Sequence, residues 1–569
     1  MNRLIVLLLA TSAALPAGYT AREKLAARHI TAAALAAHVR FLADDLLEGR
    51  APASRGDELA MRYIAAQYER LGLVPAGDDG GWLQRFDIVG MRSEVTTPIT
   101  VAAPGKPPLT LRPVADSVVV PGLQKESMGV RDAEVVFVGY GITAPEQRWD
   151  DFKGTDVRGK ILLVMNNDPE DDPALFAGNT RLYYGRWDYK YAEAARHGAA
   201  GVIIIHTDHS ASYPWHVVQS SWTGAQFELP ADPAEPRVTL KMWATEDACK
   251  KIAALGGKDL DELRRAAGKR DFLPVPLGVK LTAAVKATLT RTRTANVLGK
   301  LPGSDKRLAD ELVVVSAHHD HLGVREGLGP RPSAGGAVGP VRVDVLYNGA
   351  QDNASGVAAL LDVAEALASL EPRPKRSVLF AAVAAEESGL LGSQYFCEHP
   401  TTAPGRIAAN LNIDGINIWG RTRDLAFVGL GKSTLDDVVG GVARAAGRTL
   451  TGDDRPDKGA FYRSDQFNFA KIGVPAIYLK AGILHPGHDA GWGRELKQKY
   501  DNERYHQPSD QIDATWNLDG AVDDVQLMTV ALLRVADAPK MPEWHKGDEF
   551  EAARKKAEAA AGAAAEGTK

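Results

Sequence analysis

Four short apolar runs, separated by helical patterns, most constrain the fold of this chain from residue 294 onward. They cover residues 311–316, 377–384, 407–413 and 474–479. Between the first two, residues 355–370 place apolar side chains three and four positions apart, on one face of a helix. Apolar strands that alternate with helices are typical of a parallel sheet covered on both faces. We therefore predict an α/β fold, with a mostly parallel central sheet flanked by helices.

The length of the chain and a change of pattern before residue 294 predict a second folding unit. A chain of 569 residues exceeds the usual size of one domain. From about residue 101 to about residue 285, short strand patterns and turns dominate. Helical patterns at 32–47 and 58–71 precede this region. We predict an opening part at 21–105, a β-rich insertion at 106–288, an α/β part at 289–545 and an Ala/Lys/Glu-rich tail at 546–569, either a frayed helix or disordered.

The N-terminus has the pattern of a secretory signal peptide, assigned here to residues 1–20. A basic residue, Arg3, precedes the apolar run 4–10, and small residues follow up to Gly18. The apolar run is too short to span a membrane. No cysteine follows it, which argues against a lipid anchor. We expect an exported protein, periplasmic or secreted, without a stable membrane anchor.

Charge and cysteine content exclude several classes of partner and site. The formal net charge of −5 gives no general attraction for nucleic acid or anionic lipid. The two cysteines, Cys249 and Cys397, are far apart in the sequence. They predict no disulfide framework and no cysteine-based zinc site.

Residues of types that commonly bind metals follow the ends of the first three apolar runs. His318 and Asp320 follow the first run, the pair Glu386-Glu387 follows the second, and Asp414 follows the third. In open α/β sheets, ligands bind beyond the carboxyl ends of the strands. Two adjacent carboxylates at such an end are able to have different roles: one holds a metal and the other transfers a proton. The alternative interpretation is that Glu386 and Glu387 form an ordinary solvent-exposed acidic turn without a chemical role.

The spacing of the histidines leaves two pairings open. In extended backbone, alternate side chains share a side, so His318 and Asp320 point together and His319 points away. We favour His318 as a ligand, with Asp320 orienting its imidazole. The pair His319 and His321 has the same spacing and is the alternative.

Asp352 and His506 complete the set. Asp352 lies in a Gly-rich turn before the helical pattern, where both its carboxylate oxygens are able to bridge two metals. An isolated Asp at such a place is typical of a turn or a helix cap. His506 supplies a second nitrogen donor, although a histidine in this context is otherwise an ordinary surface residue.

In these motifs the chain closely resembles metallopeptidase family 28, the di-zinc aminopeptidases. The motifs are Ser-Ala-His318-His-Asp320-His-Leu-Gly, Asn-Gly-Ala-Gln-Asp352-Asn-Ala-Ser-Gly, Ala-Glu386-Glu387-Ser-Gly-Leu-Leu-Gly-Ser, Asn-Ile-Asp414-Gly and Tyr505-His506-Gln-Pro-Ser-Asp. The resemblance implies two Zn²⁺ per chain. It places His318 and Asp414 on one zinc, Glu387 and His506 on the other, and Asp352 between them, with Glu386 as general base and Tyr505 as an oxyanion partner.

The resemblance also implies a domain plan, and two positions depart from it. The parts at 21–105 and 289–545 would form the catalytic domain. Residues 133–208 look like a protease-associated (PA) domain, which would serve as a lid or a docking surface. The family often has an acidic residue where this chain has Gln351, and a histidine where it has Gln466. Neither is a metal ligand, so these departures concern specificity.

We therefore expect an exported zinc aminopeptidase that hydrolyses peptides with a free N-terminus, using a two-metal-activated water and a glutamate base. The carboxylates of Asp352, Glu386, Glu387 and Asp414 favour a cationic amine. A di-zinc carboxypeptidase of the glutamate carboxypeptidase type is one alternative, because such an enzyme needs a cation for the terminal carboxylate and Arg463 or Arg494 near the site could supply it. A non-catalytic binding protein is another, although the complete ligand set argues against it.

Overall fold

The structure, a computed structural model, describes residues 15–170, 172–173, 175–211, 213–324 and 345–566. The chain divides into two compact units: residues 1–85, 295–453 and 465–569 form the first, and residues 86–294 and 454–464 the second. The predicted insertion, 106–288, lies within the second unit. Most of the predicted signal peptide lies outside the described residues.

The sheet of the first unit contains all four apolar runs as strands. The central strand, Leu312–His318, pairs in parallel with Ser377–Val383 on one side and Ile407–Asn412 on the other. Ile407–Asn412 pairs in parallel with Ala476–Ala481. The end of Val275–Leu301 adds an antiparallel strand beside Ser377–Val383. The predicted α/β fold with a mostly parallel sheet is confirmed.

Helices cover both faces of this sheet, as the alternation along the central strand shows. Val313, Val315 and Ala317 pack into the hydrophobic core around helix Ser355–Ala368. Leu312 and Val314 pack into a separate cluster on the opposite face. Burial of each such valine or leucine stabilises the fold by about 1.5–3 kcal/mol. The helices of the first unit are Ala21–Ala27, Ala32–Leu42, Arg55–Arg70, Ser355–Ala368, Leu391–Glu398, Leu435–Ala445, Gln466–Lys471, Ala490–Glu503, Asp519–Asp537 and Glu551–Glu566.

The first predicted helix, 32–47, ends earlier than its apolar pattern. The helix covers Ala32–Leu42 and is followed by a tight turn, Asp45–Arg50. The Asp44 carboxylate accepts a hydrogen bond from the Leu46 N–H at 2.9 Å, which favours a new turn over continuation of the helix. The turn brings Arg50 into the interior of the unit.

The second unit combines strands with helices. Its parallel strands are Ser127–Phe137, Ile161–Met165, Gly201–His206 and Leu240–Thr245. Ser117–Pro121 pairs with the last of them in antiparallel orientation. Helices Trp187–Arg196, Asp208–Ala211, Trp215–Ser221, Glu246–Leu255 and Leu260–Ala267 belong to this unit as well. The sequence prediction of a β-rich unit missed these helices, and the assignment to a PA domain stays a prediction.

The tail, for which the sequence left a frayed helix or disorder open, forms helix Glu551–Glu566. Its Arg554 is buried and donates a hydrogen bond to the Ile407 carbonyl at 2.8 Å. One buried arginine therefore anchors an Ala-rich helix that has no apolar stripe. Within the described part of the chain, no helix has the length and apolar content needed to cross a membrane.

Candidate metal centre

Three of the predicted ligand segments lie at the carboxyl ends of neighbouring parallel strands. His318 is the last residue of Leu312–His318, and Asp414 follows Ile407–Asn412 by two residues. Glu386 and Glu387 follow Ser377–Val383 after a bend at Ala385, whose φ of 55° is left-handed. Because adjacent parallel strands end at the same edge, their polar side chains converge there.

The Asp352 carboxylate lies between two histidines. Its Oδ1 is 3.2 Å from His318 Nε2, and its Oδ2 is 3.1 Å from His506 Nε2. The residue precedes helix Ser355–Ala368 in the irregular turn Ala350–Ala354. A carboxylate whose two oxygens face two separate imidazoles has the arrangement of a bridging ligand.

One further carboxylate accompanies each histidine. Asp414 Oδ1 lies 3.6 Å from His318 Nε2, and Glu387 Oε2 lies 3.1 Å from His506 Nε2. The donor atoms of His318, Glu386 and Asp414 lie within 4.8 Å of one another, and a second cluster with the same spacing contains His321, Asp352 and Glu387. The structure thus brings together all five residues predicted as ligands.

These donors fit zinc. Imidazole nitrogens and carboxylate oxygens are ordinary zinc ligands. His318 Nε2 is buried and has no hydrogen-bond partner among the described residues, although it faces two carboxylates. A buried nitrogen turned towards carboxylate oxygens suits a cation held between them.

Asp320 contacts the site differently from the sequence prediction. Its Oδ1 is 3.7 Å from His318 Nδ1, while the nearer partner of that nitrogen is the main-chain carbonyl of Asp320, at 3.3 Å. The carboxylate accepts hydrogen bonds from the N–H groups of Glu386 and Glu387, at 3.0 and 3.3 Å. Asp320 therefore links the His318 segment to the glutamate pair.

The structure turns His319 away from the site. Its Nδ1 lies 3.1 Å from Asp57 Oδ1, and its Nε2 donates to the Ala295 carbonyl at 3.2 Å. The alternative pairing of His319 with His321 is therefore wrong for His319. His321 itself lies in the site, with Nδ1 2.6 Å from Glu387 Oε1.

Arg50 is a buried connector that sequence reasoning missed. Its guanidinium donates to the carbonyls of His319, Asn348 and Gly349 at 2.8, 2.7 and 3.0 Å, and also to that of Leu42. It thereby ties the segment after His318 to the turn before Asp352. Its place in a Gly-Arg dipeptide at a turn offered no sequence signal for this role.

Asp510, the last residue of the motif that begins at Tyr505, binds the turn that carries Asp352. Its carboxylate accepts hydrogen bonds from the N–H groups of Gln351 and Asp352, each at 3.1 Å. Burial raises the pKa of Asp510 to about 6. The motif that carries His506 thus also holds the turn that carries Asp352.

The two residues that depart from the family pattern turn their side chains to other partners. Gln351 Nε2 donates to the Ile416 carbonyl at 2.5 Å. Gln466 Oε1 accepts from Asn412 Nδ2 at 2.8 Å. Both side chains therefore hydrogen-bond to the segment that carries Asp414.

Two tyrosines lie beside the ligands. Tyr505 stacks on the His506 ring, with centroids 3.9 Å apart, and its side chain is partly exposed. Tyr478 is buried and donates to Asp414 Oδ2 at 3.2 Å. The first is the predicted oxyanion partner, and the second had no sequence signal.

The charges of the site favour protonated histidines beside ionised carboxylates. Burial opposes the charge on His506, but Glu387 and Asp352 outweigh it and raise the pKa of His506 to about 10. For His318 the Glu386 and Asp352 carboxylates likewise outweigh burial and hold the pKa well above its ordinary value. In Glu387, His506 outweighs burial and lowers the pKa to about 2. The Glu387 carboxylate thus stays ionised while His506 carries a positive charge.

We expect zinc binding to release protons. The raised pKa values of His318 and His506 favour the imidazolium form in the metal-free protein, and a metal binds only the neutral ring, so protons leave as the site fills. Apparent zinc affinity should fall about tenfold per pH unit for each displaced proton as the pH decreases. Calorimetric titration in two buffers with different protonation enthalpies measures this release. Equal heats in both buffers would contradict it.

The fold and the donor set define a two-cluster carboxylate and histidine centre on an α/β sheet, a class of site used by metal-dependent hydrolases. Comparison with known proteins names the family. Residues 296–530 match the profile of peptidase family M28. Over these residues, the match confirms the resemblance that the sequence motifs predicted.

Individual relatives are similar over parts of the chain. Aminopeptidase NAALADL1 of Rattus norvegicus is 27% identical over 255 residues, 37% of this chain and 31% of that protein. The probable lipoprotein aminopeptidase LpqL of Mycobacterium tuberculosis is 30% identical over 178 residues, 29% of this chain and 35% of that protein. The chain spans about a third of the length of these curated relatives. Among solved structures, an aminopeptidase from Aneurinibacillus sp. strain AM-1 aligns with a TM-score of 0.46 and 20% identity over 91% of this chain and 97% of that one.

Proposed function

We propose that this protein is a two-zinc aminopeptidase that removes N-terminal residues from peptides. The carboxylate of Asp352 carries the proposal, because its two oxygens face His318 and His506 at 3.2 and 3.1 Å. His318 and Asp414 would hold one zinc, and His506 and Glu387 the other. When bound, such a zinc pair supplies Lewis acidity, which lowers the pKa of a water and polarises a carbonyl.

Glu386 is the general base in this proposal. It lies beside the ligands, with its main-chain N–H fixed by Asp320 at 3.0 Å. Burial raises the pKa of the Glu386 carboxyl well above its ordinary value, with help from Asp414 and Glu387. A carboxylate with a raised pKa accepts a proton from the attacking water and returns it to the departing amine.

A free N-terminal amine suits this site. The carboxylates around His318 and His506 outnumber the two rings, and an excess of negative charge attracts an ammonium group. Two relatives that match parts of the chain carry the name aminopeptidase. Both observations support peptides with an unblocked N-terminus as substrates.

The carboxypeptidase alternative requires a cation that is free to hold a carboxylate. Arg50 is the buried arginine beside the ligand segments, and its guanidinium donates to four main-chain carbonyls. Arg494 is exposed on helix Ala490–Glu503. Neither position favours a carboxypeptidase over an aminopeptidase.

Hydrolysis of matched anilides tests the substrate class. The zinc-loaded protein is given leucyl, alanyl and lysyl nitroanilides, each free and N-acetylated. We expect nitroaniline release from the free amines alone. Equal release from acetylated substrates would exclude an aminopeptidase, and no release from any anilide by a protein that holds its zinc would favour the carboxypeptidase alternative.

Substitution of Tyr505 by phenylalanine is expected to lower kcat about 10²-fold, because loss of one oxyanion donor typically costs that much. The phenyl ring keeps the stacking on His506, so zinc content should stay unchanged. The measurement is kcat on leucyl anilide at saturating zinc. An unchanged kcat would show that another group serves the oxyanion.

Export is a further proposal, and it rests on the sequence pattern of residues 1–18 alone. Cell fractionation of the native host, with detection of the mature N-terminus by mass spectrometry, tests it. An intact N-terminus in the cytosolic fraction would contradict export.

A further inference from the structure

The two carboxylates that accompany the histidines divide their oxygens between two kinds of partner. Glu387 presents Oε2 to His506 Nε2 at 3.1 Å and Oε1 to His321 Nδ1 at 2.6 Å. At 2.6 Å, a proton lies between nitrogen and oxygen, so His321 Nδ1 donates to Oε1. Only Oε2 of Glu387 then faces the ligand position.

Asp414 repeats the arrangement on the other side. Its Oδ1 faces His318 Nε2 at 3.6 Å, and its Oδ2 accepts the Tyr478 hydroxyl hydrogen bond at 3.2 Å. One oxygen is again turned to the ligand position, and the other is occupied by a protein donor.

We propose that His321 and Tyr478 are positioning residues that orient the Glu387 and Asp414 carboxylates, so that each turns one oxygen to the ligand position. The inference rests on the proposed two-zinc function and deepens it. With the second oxygens occupied, Asp352 is the one ligand carboxylate with both oxygens turned to the two histidines.

The surroundings of His321 hold its ring in this orientation. Its side chain is fully buried, and its main-chain N–H donates to the Arg50 carbonyl at 3.2 Å. The ring lies against Gly349, where a Cβ would stand only 2.5 Å from His321 Cγ. Gly349 also has φ of +57°, a conformation that favours glycine. A side chain at position 349 would therefore clash with the His321 ring.

Tyr478 is fixed by its strand. It lies on Ala476–Ala481, next to the strand that leads to Asp414, and its side chain is 1% exposed. A hydroxyl that is buried at a strand position keeps its direction without loop rearrangement. Outer donors of this kind typically contribute 10- to 100-fold to metal affinity or activity.

Three variants separate the donor role from mere packing. His321→Leu removes the donor, and His321→Asn keeps an N–H close to the position of Nδ1. Tyr478→Phe removes one hydroxyl and leaves the ring. For each purified full-length variant, stepwise zinc affinity is measured by competition with a fluorescent chelator, alongside kcat and KM on leucyl anilide and the unfolding temperature of the metal-free protein.

We expect His321→Leu and Tyr478→Phe each to weaken one zinc-binding step about 10- to 100-fold, with unfolding temperatures that show a folded chain. His321→Asn should recover most of the loss. Unchanged affinity for both zincs in His321→Leu and Tyr478→Phe would overturn the inference, as would an Asn variant as impaired as the Leu variant. The zinc content of the wild-type protein tests the proposed function separately. Fewer than two bound zincs in the wild type would contradict that function, whatever the variants show.

Discussion

Glutamine in place of Glu386 is expected to lower kcat about 10²- to 10⁴-fold while the chain keeps its zinc. The amide has the size of the carboxyl group and is unable to accept the proton of the attacking water. The main-chain contact with Asp320 does not depend on the side chain, so the turn should stay in place. The measurement is kcat on leucyl anilide, with zinc content determined by mass spectrometry on the same sample.

The control for this variant is Glu398→Gln, at an exposed glutamate of helix Leu391–Glu398. It should leave kcat unchanged. Near-normal turnover by Glu386→Gln would remove Glu386 from the proton transfer. Loss of zinc in that variant would instead make Glu386 a ligand.

The same residue sets the direction of the pH dependence. A base must be ionised to act, and burial raises the pKa of Glu386 well above 4.5. The activity should therefore be complete above the raised pKa and decline as the pH falls through it.

The second large effect is expected for Asp352→Asn. The amide is neutral and has one oxygen, so it cannot bridge the positions faced by His318 and His506. The two imidazoles then lose the carboxylate that lies between them. We expect fewer than two zincs per chain and a loss of kcat/KM of roughly 10³-fold or more.

Asp310→Asn is a matched control, because the Asp310 side chain is 81% exposed and its partner Arg406 lies 3.5 Å away at the surface. It should keep full zinc content and activity. An Asp352→Asn protein that holds two zincs and turns over normally would show that Asp352 does not bridge. The unfolding temperature of each metal-free variant is measured as well. A lower value for Asp352→Asn than for Asp310→Asn would show that the substitution also destabilises the fold.

The strands and most ligands of this site were predictable, since both depend on local patterns. Buried parallel strands are apolar along their whole length, and His318, Glu387 and Asp414 each follow such a run. A chain that ends its strands in metal-binding residues places them along one sheet edge. The family motifs added the expected roles of Asp352 and His506.

The supporting residues were not predictable, because they act across long distances in the sequence. Arg50 reaches Asn348 and Gly349, and Asp510 reaches the N–H groups of Gln351 and Asp352. No periodicity or spacing links such positions, and only the folded backbone brings them together.

Local competition explains the missed helix boundaries. The apolar spacing of residues 32–47 fits one helix, but Asp44 caps a new turn and ends the helix at Leu42. In the tail, the Ala-rich sequence predicts little about packing. One contact that holds this helix to the first unit is the hydrogen bond from the buried Arg554 to the Ile407 carbonyl.

Zinc titration of the metal-free protein tests the two-metal centre most directly, with bound zinc and hydrolysis of leucyl anilide measured at each addition. We predict saturation at two zincs per chain in the wild type and a failure to reach two in Asp352→Asn. Full activity at saturation with one zinc, unaltered by Asp352→Asn, would contradict a bridged pair.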